Sequence, residues 1–449
     1  MAILSDFALF LYLNNKKCIF AQNKHLSMPK QKDELASSLF VTDYFFQKFA
    51  SINISSYICS SKQTSLYMKR RLTITMAMLA IATAACAQEE PKLVVKPSGR
   101  ILFDGAYIKP QHQEEDLKSG VGIPDFRVGV GFNYGKWKGK VDMGYAYGKV
   151  NMKDVWLQYD FDKTNLIRGG YFIHQYGFQS STSSSFKETM EEPQSNACFN
   201  NDRMIGLMYE HNGQQFLATA SVVVESDAMK QTTDQTGNET IGAMTRLLYR
   251  PFAERGKMFQ VGISGGIEGA RYSSNEEMNH SQFTLSTRWP TRVAKVYSQQ
   301  AVVDHAKTMY RFSPEIMYSK GRFAVIGQYY YNTIIRDNNL KNFTGSGAYV
   351  TLRALVKGRT YSPNMGDGGI ATPDPGNMEF CLQYNYTSLS DPTAGIYGGY
   401  LNDWALCYNF YPNKYMIWRV RASYTKVTNR SDFVNNEISI LETRLQVKF

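Results

Sequence analysis

The sequence predicts an all-β protein, a transmembrane antiparallel β-barrel of about 16 strands, and three observations carry that expectation. Over Ile438 to Phe449 the series Leu441, Thr443, Leu445, Val447 and Phe449 alternates with Glu442, Arg444, Gln446 and Lys448. A period of two marks a β-strand with one apolar and one charged face, and an aromatic last residue on such a strand is what bacterial outer-membrane barrels carry as their closing strand. Alternation of this kind recurs from residue 100 onward in a chain with 30 Tyr and 26 Phe. Its mean hydropathy is negative because polar and apolar residues interleave. The third observation is an export signal.

That signal is the apolar run Leu72 to Ala85, which follows Met68-Lys69-Arg70-Arg71 and ends in Ala85-Cys86-Ala87 before Gln88-Glu89-Glu90. A basic start, a short apolar centre and small residues at the end are the parts of a secretory signal peptide. The expectation is an upstream extension at 1–67 with Met68 as initiator, a signal peptide at 68–87 cleaved after Ala87, and a barrel at 88–449. Cys86 after Thr83-Ala84-Ala85 only weakly matches a lipidation box. A cytoplasmic domain ahead of a retained anchor is the competing idea, and the small-residue cleavage pattern argues against it. Beyond residue 100 no linker divides the chain and no apolar run is long enough for a spanning helix. Without residues 1–87 the chain has 40 basic and 35 acidic residues, a net +5. That mild excess is no nucleic-acid signature, and export removes such a partner.

Taken in order, the strands are expected at Arg100–Tyr107, Asp125–Tyr134, Lys138–Tyr147, Val150–Phe161, Thr164–His174 and Arg203–His211. They continue at Gln214–Ser226, Ile241–Phe252, Lys257–Ser273, Thr308–Tyr318, Arg322–Arg336, Phe343–Val356, Met378–Leu389, Gly399–Tyr411 and Lys414–Val427, ending with the closing strand. Tight joints such as Asn212-Gly213, Asp162-Lys163, Ser319-Lys320-Gly321 and Pro412-Asn413 alternate with longer polar stretches, the pattern of a meander with short periplasmic turns and long outer loops. Gln282 to Trp289 also looks strand-like. Counting it would make the total odd, so Ser274 to Lys307 is assigned to one long outer loop. Tyr and Phe near strand ends, among them Tyr107, Tyr134, Phe161, Tyr329 and Tyr424, fit interfacial girdles.

Sixteen strands leave an aqueous lumen where eight would be filled by side chains, so the architecture points to passage of solutes. After signal removal three cysteines remain, Cys198, Cys381 and Cys407. Their spacing supports no zinc or thioredoxin-type site. Cys381 and Cys407 lie on the polar faces of consecutive strands, equidistant from Ala394. They either face each other, where the periplasm permits a disulfide, or line the lumen as two thiols, and a one-residue register change separates the two outcomes.

The stretches Gly99-Arg100-Ile101-Leu102-Phe103-Asp104-Gly105-Ala106-Tyr107, Phe126-Arg127-Val128-Gly129-Val130 and Lys153-Asp154-Val155-Trp156-Leu157 together resemble the phosphate-selective porin O and P family. Arg168-Gly169-Gly170-Tyr171-Phe172 is similar to that family's strand into its constriction loop, and Phe283-Thr284-Leu285-Ser286-Thr287-Arg288-Trp289-Pro290 to its basic fifth loop. The resemblance implies an outer-membrane homotrimer of sixteen-stranded channels with a constriction loop folded into the lumen, past which basic residues guide small anions. It also implies contact with outer-membrane lipid, and insertion by the barrel-assembly machinery through the C-terminal strand. One departure bears on the solute. The inferred constriction loop, Gln175 to Asp202, holds Lys187 against Glu188, Glu191 and Glu192, which points to a weak anion preference in place of tight phosphate selectivity.

Anion passage needs several weak positive sites, since one strong site would trap the ion, and the planar fork of Arg pairs two phosphate oxygens at once. Alternation puts Arg127, Lys140, Arg168, Arg353, Arg419, Arg421, Arg444 and Lys448 on lumen faces, with Asp142, Asp154 and Glu442 as available partners. Arg288, Arg292 and Lys295 lie in the long loop, in a stretch from Ser281 to Gln300 without one Asp or Glu. Competing readings are a non-transporting barrel acting as receptor or adhesin, and an outer-membrane enzyme. His174 with Ser180 has no hydrolase motif around it. Glu114-Glu115-Asp116 lacks the ligand periodicity of a calcium loop, and Gly366-Asp367-Gly368-Gly369 precedes no helix that could cradle phosphate. No cofactor or metal is expected.

Overall fold

A computed structural model describes residues 91–146, 149–183, 187–200, 203–224, 241–270, 281–431 and 434–449. The expected extension at 1–67, the signal peptide at 68–87 and the strand ends Tyr147, Ser226 and Ser273 lie outside the described residues.

Sixteen strands form a closed barrel. They are β1 (Val94–Pro110), β2 (Gly120–Tyr134), β3 (Trp137–Ala146), β4 (Lys149–Asp160), β5 (Asn165–Phe172), β6 (Met204–Asn212), β7 (Phe216–Val224), β8 (Ile241–Glu254) and β9 (Lys257–Gly269). After a hairpin of β10 (Gln282–Arg288) and β11 (Tyr297–Asp304), the wall resumes with β12 (Ala306–Lys320), β13 (Phe323–Arg336) and β14 (Phe343–Lys357). Two short strands, β15 (Pro363–Asn364) and β16 (Gly369–Ile370), precede β17 (Met378–Asp391), β18 (Ile396–Asn413), β19 (Met416–Arg430) and β20 (Asn436–Lys448). The expected sixteen strands are these barrel strands. The strand-like Gln282 to Trp289 pairs only with β11, outside the wall.

Closure runs along β1 and β20, with Ile101 opposite Val447 and Tyr107 opposite Leu441, so among the described residues the barrel wall has no free edge. The alternation of the last strand is realised: Leu441 is 55% exposed, whereas Glu442 is 2% and Arg444 3% exposed. Exposed apolar and buried charged side chains invert the soluble pattern, because the outer face meets lipid and the inner face meets whatever fills the lumen. A β-bulge between β3 and β4 shifts the register from Val141↔Val155 to Met143↔Met152. It brings both Lys153 and Asp154 onto the lumen side, which strict alternation forbids.

The connection between β5 and β6 carries two short helices, α1 (Gly177–Ser181) and α2 (Gln194–Phe199), and crosses the lumen to the far wall. Gly177 N donates to Ser264 Oγ at 2.9 Å, Ser195 Oγ to Asn385 Oδ1 at 2.6 Å, and Tyr330 Oη to Asn196 Oδ1 at 2.9 Å. Tyr176, Phe178 and Phe199 pack there with Tyr330, Phe343 and Tyr349. The wall makes room through Gly347. A Cβ on it would sit 2.7 Å from the Ser195 side chain and 3.0 Å from the Phe199 ring.

Two further segments fold inward. The β10–β11 hairpin leans on β17 to β19 through Gln299, whose Nε2 donates to Gly399 O at 2.7 Å, and through Arg430, which donates to Ser298 O at 3.0 Å. The second enters from the other rim. Connections on that rim are tight, from residues 135–136 to 414–415, except for residues 358–377 between β14 and β17. This segment carries β15 and β16 up to Arg246, which donates to Asp367 O at 2.7 Å.

Candidate functional site

The β5–β6 loop fills the half of the lumen lined by β9 to β20, so the open space follows the wall of β1 to β6. Four cavities succeed one another there. An outer chamber of about 530 Å³ shares Arg292, Glu192 and Ala197 with a narrow section of about 290 Å³. The narrow section shares Arg127, Arg203, Ser180 and Thr182 with a lower chamber of about 390 Å³. The lower chamber shares Arg168, Ile173, Ser181 and Asp367 with an inner mouth of about 1060 Å³.

Charge along this path is uneven. Among the described residues the outer chamber is lined by Lys149, Lys153, Arg288, Arg292 and Lys295 against Glu191 and Glu192. Arg127, Lys187, Arg203 and Arg292 face Glu192 in the narrow section. Arg100, Arg127, Lys140, Arg168, Arg203 and Lys448 face Asp142, Asp154 and Asp367 in the lower chamber. At the inner mouth Lys136, Lys138, Lys163 and Arg168 are balanced by Asp160, Asp162, Glu210 and Asp367. Three consecutive sections thus carry a basic excess and the fourth none. Some of these cations are braced by carboxylates: Lys140 lies 2.5 Å from Asp142, Arg203 2.7 Å from Asp154, and Arg127 3.2 Å from Asp125. Arg168 instead stacks on Trp156, 4.5 Å from the ring centre, while two of its N–H groups donate to Gln158 Oε1 at 2.9 and 2.6 Å.

Of the residues singled out from the sequence, Arg127, Arg168, Lys187, Arg288, Arg292 and Lys295, with Lys140 and Lys448, line this path. Four others need correction. Arg353, Arg419, Arg421 and Arg444 point inward as alternation requires, yet the constriction loop, the hairpin or residues of the wall cover them, and none is more than 4% exposed. Arg353 pairs with Glu379 at 3.1 Å, and Arg421 with Asp403 and Glu442 at 3.2 Å each. Arg419 donates to the loop carbonyls of Lys187 at 2.7 Å and Thr189 at 3.2 Å. Arg444 bridges Asp104 and Glu191, each at 2.5 Å. The physical reason is that alternation gives the face of a strand and nothing about what packs on it. One of these arginines takes up part of the loop's acidity: Glu191 is turned to Arg444 and to Arg292, 3.2 Å away, whereas Glu192 accepts from Asn196 of the same loop at 2.8 Å and stays on the path.

Sequence reasoning missed Arg100, Arg203, Lys149 and Lys153. Arg100 lies inside β1 and Arg203 just ahead of β6, and the last two reach the lumen through the bulge. His174 anchors the loop, its Nε2 3.2 Å from Met204 O and its ring stacked on Phe172. Glu114 clamps loops together: its carboxylate accepts from Arg430 at 2.8 Å and from Trp289 at 3.3 Å. Cys381 and Cys407 lie directly opposite in register, both as free thiols. Lys295, at the tip of the β10–β11 hairpin, is pushed below the ordinary lysine value by partial burial, helped by Arg288, Lys149 and Arg292.

The sequence pattern of the family described as phosphate-selective porin O and P matches residues 125–449. Among solved structures, the outer-membrane expressed OmpT of Vibrio cholerae superposes with a TM-score of 0.52 at 13% identity, covering 81% of this chain and 99% of its own. An anion-selective porin from Comamonas acidovorans superposes with a TM-score of 0.50 at 12% identity, covering 80% of this chain and 100% of its own. Identities this low speak to fold alone. A comparison with curated proteins found no match.

Proposed function

The chain belongs to the phosphate-selective porin O and P family and is a porin of the bacterial outer membrane; on that premise we propose that it conducts small hydrophilic solutes passively, with a weak preference for anions and no chemical reaction of its own. The observation that carries this is the basic excess in three neighbouring cavities, each sharing lining residues with the next. Fixed cations spaced along a narrow aqueous path raise the local anion concentration, and a ladder of modest sites lets the ion leave each one. Arg288, Arg292 and Lys295 gather anions in the outer chamber. Arg127, Lys187 and Arg203 pass them through the narrow section, and Arg168 receives them below. Arg419 and Arg444 contribute indirectly, by holding the loop that sets the width, and Arg421 by holding the hairpin at Pro290 O.

In this proposal residues 88–449 are the mature chain, delivered by the signal at 68–87 and inserted by the assembly machinery, and three copies associate in the membrane. The face where copies meet is that of β5 to β7. Of these, β5 and β6 have only 8 and 9 residues against 13 to 18 in β12 to β14 and β17 to β20.

The test is the reversal potential of the reconstituted protein in a salt gradient. The unmodified protein is expected to be anion-preferring, with selectivity fading as ionic strength rises, since screening acts over about 10 Å at 0.1 M. Replacing Arg288, Arg292 and Lys295 together with Gln should move the potential toward cations. An unmodified protein that prefers cations would sink the proposal while leaving the barrel intact.

A further inference from the structure

We infer that Asp367 is the exit element of the anion path, a fixed negative charge that loosens the hold of Arg168 on an anion leaving the lower chamber. The inference rests on the anion-preferring reading above and adds a specificity-determining residue to it. Asp367 does not lie on the wall. It is carried into the lumen by residues 358–377, the one long connection on a rim of tight turns, and that connection is held by its backbone. Arg250 and Asn212 both donate to Met365 O at 3.0 Å. Arg246 donates to Asp367 O and Gln260 to Gly368 O, each at 2.7 Å. The next residue, Gly368, has a φ of +63°, and a Cβ there would meet the Leu248 side chain at 2.3 Å, so the turn requires glycine.

With the carbonyls taken up in this way, the Asp367 carboxylate is steadied by Asn364 Nδ2 at 2.9 Å. It borders both the lower chamber and the inner mouth, as does Arg168. Arg168 interacts electrostatically with Glu210 and Asp154 and then with Asp367, and Asp367 is the one of the three that is carried in by residues 358–377 and not by the wall. An anion arriving from Arg127 and Arg203 therefore meets, at the arginine of the throat between chamber and mouth, a carboxylate that already offsets part of that cation's field. Conduction demands such an arrangement, because favourable entry without an equally ready release gives block in place of flux. The charge balance has the same form, with a basic excess down to the throat and parity beyond it.

The experiment compares D367N, D367E and R168Q with the unmodified protein in planar bilayers, reading the reversal potential in a chloride gradient and the block of chloride current by inorganic phosphate. D367N keeps shape and backbone contacts. It should raise the anion-to-cation permeability ratio at least twofold and tighten phosphate block at least threefold, both effects shrinking at high salt. D367E, which retains the charge, should stay near the unmodified values, and R168Q, across the throat, should shift both readings the other way. Unchanged selectivity and block in D367N, with the outer Gln triple variant still shifted toward cations, would overturn the role of Asp367 and leave the anion reading standing. A cation-preferring unmodified protein would overturn both. If D367N does not assemble, D367S, which also removes the charge, is read in the same two measurements, and unchanged selectivity and block in it would overturn the role of Asp367.

Discussion

Lys295 shows how far a single side chain is set by its company. Partial burial and the nearby Arg288, Lys149 and Arg292 favour its neutral form, so it loses its proton at lower pH than an ordinary lysine. The sign for function follows: as pH rises through that lowered value the outer chamber loses a positive charge, and anion preference falls. Reversal potentials measured from pH 7 to 10.5 should show the fall, and K295R, which stays charged, should flatten it. A profile unchanged by K295R would remove Lys295 from the path. Arg444 answers to the opposite logic. It is 3% exposed between Asp104 and Glu191, and removing one partner of a buried ionic group costs about 3–5 kcal/mol because the other charges are left uncompensated. Arg444→Met should therefore lower the unfolding temperature on heat-modifiability gels, and adding Asp104→Asn and Glu191→Gln should recover most of the loss. The sequence told which way Arg444 points. It could not tell that a loop lies over it, because the partner Glu191 is 253 positions away.

Among the elements, the sixteen strands were legible because each repeats a period of two between turn residues, a signal local to about ten positions. The bulge at Lys153 and the inward course of residues 358–377 were not. The first is a slip in register that a pattern of types does not record, and the second depends on Arg246 and Arg250 reaching across from β8. The closing strand poses a sharper question. Phe449 exchanges backbone hydrogen bonds with Gly99 at 3.0 and 3.1 Å, and its ring lies where a Gly99 side chain would be, 2.2 Å from an added Cβ. It can thus act as an assembly signal or as a clasp on the β1–β20 seam. Deleting Phe449 is expected to lower membrane levels severalfold with normal synthesis, whereas Gly99→Val, which displaces the ring and keeps the terminal residue, should leave levels within about twofold by the estimate for a packing change alone. Equal loss in both variants would make the seam the reason for the aromatic residue.

For the whole molecule, the wall is uneven in height, and the membrane is not. Strands rise about 3.4 Å per residue and tilt about 40°, so the 8 and 9 residues of β5 and β6 climb roughly 21–23 Å, short of an apolar band about 25 Å tall. Lipid against that face would have to thin, at a cost that grows with mismatch, and a second copy removes the need. The outer surface beside them, over β6 to β9, is shaped for close approach: Ala220, Ala243 and Gly265 line an apolar groove of about 510 Å³ with Leu207 and Tyr209. On the tall side Leu406 and Trp404 are exposed on β18, as a lipid-facing surface requires. Trp at Ala220 and Ala243 together should therefore convert trimers to single barrels on native gels while each barrel keeps its conductance. Leu406→Trp, a comparable change on the tall face, should leave the assembly unaltered. Trimers that survive the double substitution would move the contact between copies elsewhere on the barrel, and the short strands would then have to be met by a locally thinner bilayer.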